Sequence, residues 1–103
     1  MKRILRAAML AAMIAPLGAA VVQAGPIDRA CMASPRPQKS YGLCRCIQLV
    51  ADQTLSRADQ RRAAKFFRDP EKAQETRQSD NRSTERFWLR YKEFGATAAA
   101  ACG

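Results

Sequence analysis

Four cysteines, Cys31, Cys44, Cys46 and Cys102, constrain this chain more than any other feature. All of them lie in the stretch from Gly25 to Gly103, whose 79 residues carry few large apolar side chains: Ile27, Met32, Leu43, Ile47, Leu49, Val50, Leu55, Phe66, Phe67, Phe87, Trp88, Leu89 and Phe94. Domains of this length rarely bury enough surface to stay folded unaided. An even number of cysteines in an oxidising compartment reads as a disulfide framework, here two bridges. Closing the long loop between Cys46 and Cys102 is worth about 4 kcal/mol by chain entropy, comparable to the whole stability of so small a domain.

An oxidising destination is what the N-terminus announces. Lys2, Arg3 and Arg6 precede an uncharged run from Ala7 to Val22, and Val22-Gln23-Ala24 places small residues one and three positions before a cut. The expectation is a Sec-type signal peptide, residues 1–24, cleaved between Ala24 and Gly25, and a periplasmic or secreted product. Pro16 and Gly18 break the run, and sixteen uncharged residues fall short of the roughly 20 that span a bilayer as a helix. A lipid anchor is disfavoured too, because Asp28 stands where a lipobox before Cys31 wants an aliphatic residue. What remains, 25–103, is one domain that does not span a membrane after processing.

The patterning of that domain is helical, with no strand signal. Pro26 to Met32 suits a short helical turn, and Ala33 to Gly42, with Pro35, Pro37 and Gly42, reads as a loop. From Leu43 the apolar spacing of Leu43, Ile47 and Val50 predicts a helix to about Thr54, with Cys46 on the same side. Ser56, with Asp59 three residues on, predicts a capped helix from Arg57 carrying Ala63, Phe66 and Phe67 inward. Asp69-Pro70-Glu71 ends that helix and starts a short polar one reaching about Gln78. After caps at Asp80 or Ser83, the residues Phe87, Tyr91, Phe94, Ala98 and Cys102 form one continuous helix face. The fold class expected is therefore all-α, a disulfide-stapled bundle of three to four short helices.

The faces favour one pairing without excluding another. Cys46 and Cys102 both lie on apolar faces, while Cys44 is turned by about 200° from Cys46 on a helix. The preferred pairs are Cys31 with Cys44 and Cys46 with Cys102. Cys31 with Cys46 and Cys44 with Cys102 is nearly as good on distance.

Catalysis is not expected. The chain has no histidine, no nucleophile motif and no glycine-rich phosphate loop, and no cofactor is called for. Cys44-Arg45-Cys46 admits a thiol or copper-handling reading, with Met32 as thioether ligand, but bridge ends in an oxidising compartment explain it better. The most pointed surface feature is a row of cations. Arg57, Arg61, Lys65 and Arg68 fall at spacings of four, four and three on one helix face, on a domain with 15 basic and nine acidic side chains and a formal charge of +6. Like charges repel along such a row, so it points to an anionic partner: phospholipid or lipopolysaccharide headgroups, an acidic protein face, or, with less support, nucleic acid. Arg82, Arg86 and Arg90 form a second row. In the bland alternative, Glu71, Glu75, Asp80, Glu85 and Glu93 cover these rows. The aromatic cluster Phe87, Trp88, Tyr91 and Phe94 reads as core.

Several stretches carry a resemblance. Gly25-Pro26-Ile27, Arg29-Ala30-Cys31, Leu43-Cys44-Arg45-Cys46-Ile47, "ADQTLSRADQRRAAKFFRDP", "RQSD" and "FWLRYKEFG" resemble a family of short exported bacterial proteins with a C-x-C motif, to which the label arginine transporter is often attached. The likeness runs from Gly25 to Cys102 and implies export. It also implies an accessory or solute-binding part in arginine transport, since 79 residues without a spanning segment form no transport path. Leu55-Ser56-Arg57-Ala58-Asp59-Gln60 is more distantly similar to the Leu-Thr-x-x-Gln signature of small periplasmic stress chaperones.

Overall fold

The computed structural model describes residues 24–103, so all but the last residue of the leader expected over 1–24 lies outside the described residues. Five helices follow one another, with no strand among the described residues: α1 (Pro26–Ala33), α2 (Tyr41–Thr54), α3 (Arg57–Arg68), α4 (Pro70–Arg77) and α5 (Arg82–Cys102). The all-α, disulfide-bonded expectation holds, with one helix more than expected. The supposed turn at Pro26 is two full turns of helix, and α2 starts at Tyr41 because the Ser40 hydroxyl caps it, accepting from the Leu43 amide at 3.1 Å.

Helix starts were largely written in local chemistry. The Ser56 hydroxyl accepts from the Asp59 amide at 3.1 Å and opens α3. Asp69 accepts from the Glu71 amide at 3.1 Å, and Pro70 at the first helical position spends no useful donor. The cap of α5 is neither Asp80 nor Ser83. Asn81 takes it, its carbonyl oxygen accepting from Ser83 at 2.9 Å and Thr84 at 3.3 Å. Asp80 and Ser83 have the right chemistry one residue too early and two too late.

Helix α2 is the strut of the fold, packed against α1 on one side and α5 on the other. Cys44, Gln48, Ala51 and Leu55, at spacings of four, three and four, are all buried. The disulfide Cys31–Cys44, Cα–Cα 5.6 Å, ties this side to α1. On the other side Cys46 joins Cys102 of α5, Cα–Cα 5.8 Å. The expectation that Cys46 looks into the core while Cys44 looks away is corrected: Cys44 is wholly buried and Cys46 half-buried. The preferred pairs form nonetheless, because residues two apart on a helix face opposite sides and each side of α2 has a partner. Leu49 and Leu89, counted among the apolar residues, are 57% and 61% exposed.

A polar cluster sits where periodicity alone expects hydrocarbon. Gln48 is buried on α2, and its Oε1 accepts from the Ile27 amide at 2.8 Å and the Asp28 amide at 2.9 Å. These are orphan donors of the first turn of α1, whose own N-cap, Gly25, has no side chain to offer. The Gln48 Nε2 donates to Asp52 Oδ1 at 2.8 Å and Gln60 Oε1 at 2.8 Å. Gln60 is also buried, and its Nε2 donates to Asp52 Oδ1 at 3.2 Å and the Leu55 carbonyl at 3.3 Å. Two amide donors fix which way the Gln48 carboxamide points, so each of its hydrogen-bonding positions is filled. Gly25 is required beside it, since a Cβ there would lie 2.3 Å from the Gln48 Cδ.

The second half of the core is aromatic. Phe66 of α3 meets α5 edge-on at Tyr91, centroids 4.9 Å apart and planes at 86°, and lies 5.8 Å from Phe87. Phe87, Phe94 and Ala98 are buried along α5, and Tyr91 and Cys102 are half-buried on the same face. Burial pushes the Tyr91 phenol above its usual 10.0, with Arg36 pulling the other way. The fold thus favours the protonated phenol, so its contribution is complete below pH 10.0 and is lost as pH rises past the folded value. In an alkaline absorbance titration one of the two tyrosines should ionise late. Unfolding free energy should fall above about pH 10, and Tyr91→Phe should flatten that fall.

Candidate anion-binding face

Helix α3 turns Gln60, Ala63, Ala64, Phe66 and Phe67 inward. The 3.6-residue period then leaves Arg57, Arg61, Lys65 and Arg68 outward, and all four are exposed. Helix α1 packs along α3 and adds Arg29, which the linear sequence did not place in the row. Between the two helices lies a recess of about 250 Å³ lined by Pro26, Arg29, Arg61, Ala64, Lys65 and Arg68. Four of its six lining residues are cations. Pro26 and Ala64 complete its lining. Arg29 also donates to the Ala24 carbonyl.

Among the described residues, none of the carboxylates named as possible covers forms an ion pair with the row on α3. Among the described residues the ion pairs are Lys72–Glu75, at 3.5 Å, and Arg90–Asp59, at 2.7 Å. Neither touches the row on α3. Asp59 lies three residues before Arg62 on its own helix, but its carboxylate reaches α5 instead. Arg90 grips it with Nε at 2.7 Å and Nη2 at 3.1 Å, a fork that strengthens the guanidinium's hold on its proton. Arg62 stacks on the Phe87 ring at 4.4 Å and donates to the Thr84 hydroxyl at 3.1 Å. These two arginines are therefore structural, and the second row is reduced to the exposed pair Arg82 and Arg86.

The other candidate chemistry fares differently. All four cysteines are consumed in bridges, so the oxidised domain offers no thiol at Cys44 or Cys46. No helix among the described residues is long and apolar enough to cross a membrane. A pocket for a free guanidinium needs carboxylates, and the recess that contains Asp28 also contains Arg29 and Arg45. No family model, curated protein or solved structure matches the chain.

Proposed function

We propose that the protein is a small exported binding module, non-catalytic, that docks its α1–α3 basic face on an anionic partner in the periplasm. The supporting observation is the convergence of Arg29, Arg61, Lys65 and Arg68 on one recess, with Arg57 continuing the row and neither ion pair reaching it. Burying a cation against nothing is costly, but leaving five in water on one side of a domain creates a field that a negative surface relieves. Two disulfides fit the oxidising compartment in which such a surface would be met.

The test compares two double charge reversals of equal net charge, Arg61→Glu with Lys65→Glu on α3 and Arg82→Glu with Arg86→Glu on α5. Retention on heparin and on anionic vesicles is measured across a salt series. The α3 pair should weaken binding by at least tenfold at low salt and reduce the salt slope by about two. The α5 pair should do markedly less. Equal losses would reduce the face to bulk charge and end the proposal. Injecting arginine in a calorimeter addresses the transport-accessory reading, which requires a heat of binding that persists at high salt.

A further inference from the structure

A second concavity lies away from the basic recess and has the opposite character. Helices α2, α3 and α5 leave a recess of about 230 Å³ whose floor includes Leu43, Ile47, Phe67 and Phe94. A neighbouring recess of about 150 Å³ shares Arg36, Leu43, Ile47 and Phe67 with it, so the two join into one groove running under the loop after α1. The only charged side chains lining either part are Arg36 and Lys39, and no side-chain carboxylate does. Lys39 is tied to the Ser34 carbonyl at 2.7 Å, whereas the Arg36 guanidinium lies over the Phe67 ring at 5.8 Å, at the junction of the two recesses.

We propose that this groove binds a monoanionic alkyl amphiphile, a medium-chain carboxylate, with the chain on Leu43, Ile47, Phe67 and Phe94 and the carboxylate on the Arg36 guanidinium and the Tyr91 hydroxyl. An apolar slot with one cation at its junction selects this chemistry on three counts. The slot removes alkyl surface from water, each methylene adding to affinity. The guanidinium offers a carboxylate a paired fork of donors. A cationic head of the same length meets no side-chain carboxylate there. Arg36 and Tyr91 both line the larger recess, which puts these two donors beside a common headgroup. Small size limits the guest: recesses of about 230 and 150 Å³ suit a single short chain rather than a two-chain lipid. This site is independent of the α1–α3 face.

Trp88 is the chain's only tryptophan, and its ring lies 5.5 Å from that of Tyr91, so its fluorescence reports on the groove. Protein with both bridges intact is titrated with decanoate, 1-decanol and decyltrimethylammonium, each below its micellar concentration, by fluorescence and calorimetry. Decanoate should bind one per chain, and more tightly than decanol. The ammonium should bind at least about tenfold more weakly than decanoate. Arg36→Gln should weaken decanoate roughly tenfold, and Tyr91→Phe a few-fold, with decanol unchanged by either. Gly95 lines the groove, and a Cβ there meets nothing within 4 Å. Gly95→Leu should therefore block all three ligands while leaving the unfolding midpoint the same or higher, because leucine favours helix over glycine. Equal affinity for decanoate and the ammonium, intact binding in Gly95→Leu, or no binding of decanoate at all would overturn the proposal.

Discussion

Replacing Cys46 and Cys102 together by alanine should cost about 4 kcal/mol of unfolding free energy, enough to leave the domain largely unfolded at 37 °C. The bridge spans 56 residues and encloses α3, α4 and nearly all of α5. Without it, the unfolded chain regains the freedom of that whole loop. The native side has little with which to compensate. Of the fourteen buried apolar residues among those described, five are alanines, and α4 contributes none. Natural domains hold only about 5–15 kcal/mol in total, and the smallest lie at the bottom of that range. Guanidinium titration followed by circular dichroism measures the loss. The Cys31–Cys44 bridge closes 13 residues, for which the same estimate gives about 3 kcal/mol. A doubly substituted 46/102 variant that keeps its midpoint would mean that helix packing, rather than the covalent tie, carries the fold.

The second large effect is expected at Gln48. Gln48→Ala removes the acceptor for the Ile27 and Asp28 amides, and Ile27 is wholly buried, so water cannot replace it easily. It also leaves Asp52 and Gln60 short of a donor each. An orphaned buried polar group costs about 1–3 kcal/mol, so the loss should reach about 3 kcal/mol in sum. Gln48→Leu, which fills the space, should cost nearly as much, because the damage lies in unpaired amides rather than in a cavity. That near-equality distinguishes a polar network from ordinary packing. Gly25→Ala approaches the same spot from the other side. Its methyl group must displace the Gln48 amide, so a loss of about 1–2 kcal/mol is expected. A Gln48→Leu variant as stable as the parent would show the network to be dispensable.

How far this fold can be read from its residues varies with the kind of signal. Ser56 and Asp69-Pro70 declare helix starts because capping is local chemistry, satisfied within three residues. The α5 face is legible because one period runs unbroken from Phe87 to Cys102. Helix α2 is harder, since a helix packed on two sides has two apolar stripes. Leu43, Ile47 and Val50 stand out as one, and the second hides behind the polarity of Gln48 between Cys44 and Ala51. A glutamine at a core position is itself the signal for a buried network, but its partners at Ile27 and Gln60 are 21 and 12 residues away. The candidate site divides in the same way. Arg57, Arg61, Lys65 and Arg68 are visible as a helical row, whereas Arg29 joins them only through the packing of α1 on α3. Likewise Asp59 can choose between Arg62 and Arg90 only in three dimensions, where the aromatic face of Phe87 has already claimed Arg62.

The two bridges close loops that follow one another along the chain, 31–44 and 46–102, with Arg45 alone between them. Tension applied to the ends of the domain would therefore run from Gly25 to Cys31, cross sulfur to Cys44, pass to Cys46 and cross again to Cys102. That covalent shortcut contains roughly a dozen residues and extends to about 40 Å, against the roughly 270 Å available to the reduced polypeptide. Helices α3 and α4 lie wholly off the line of force, as does α5 up to Cys102. A pull on either terminus can strain α1 and one turn of α2, but the helix bearing the cationic row stays shielded for as long as the sulfurs remain joined.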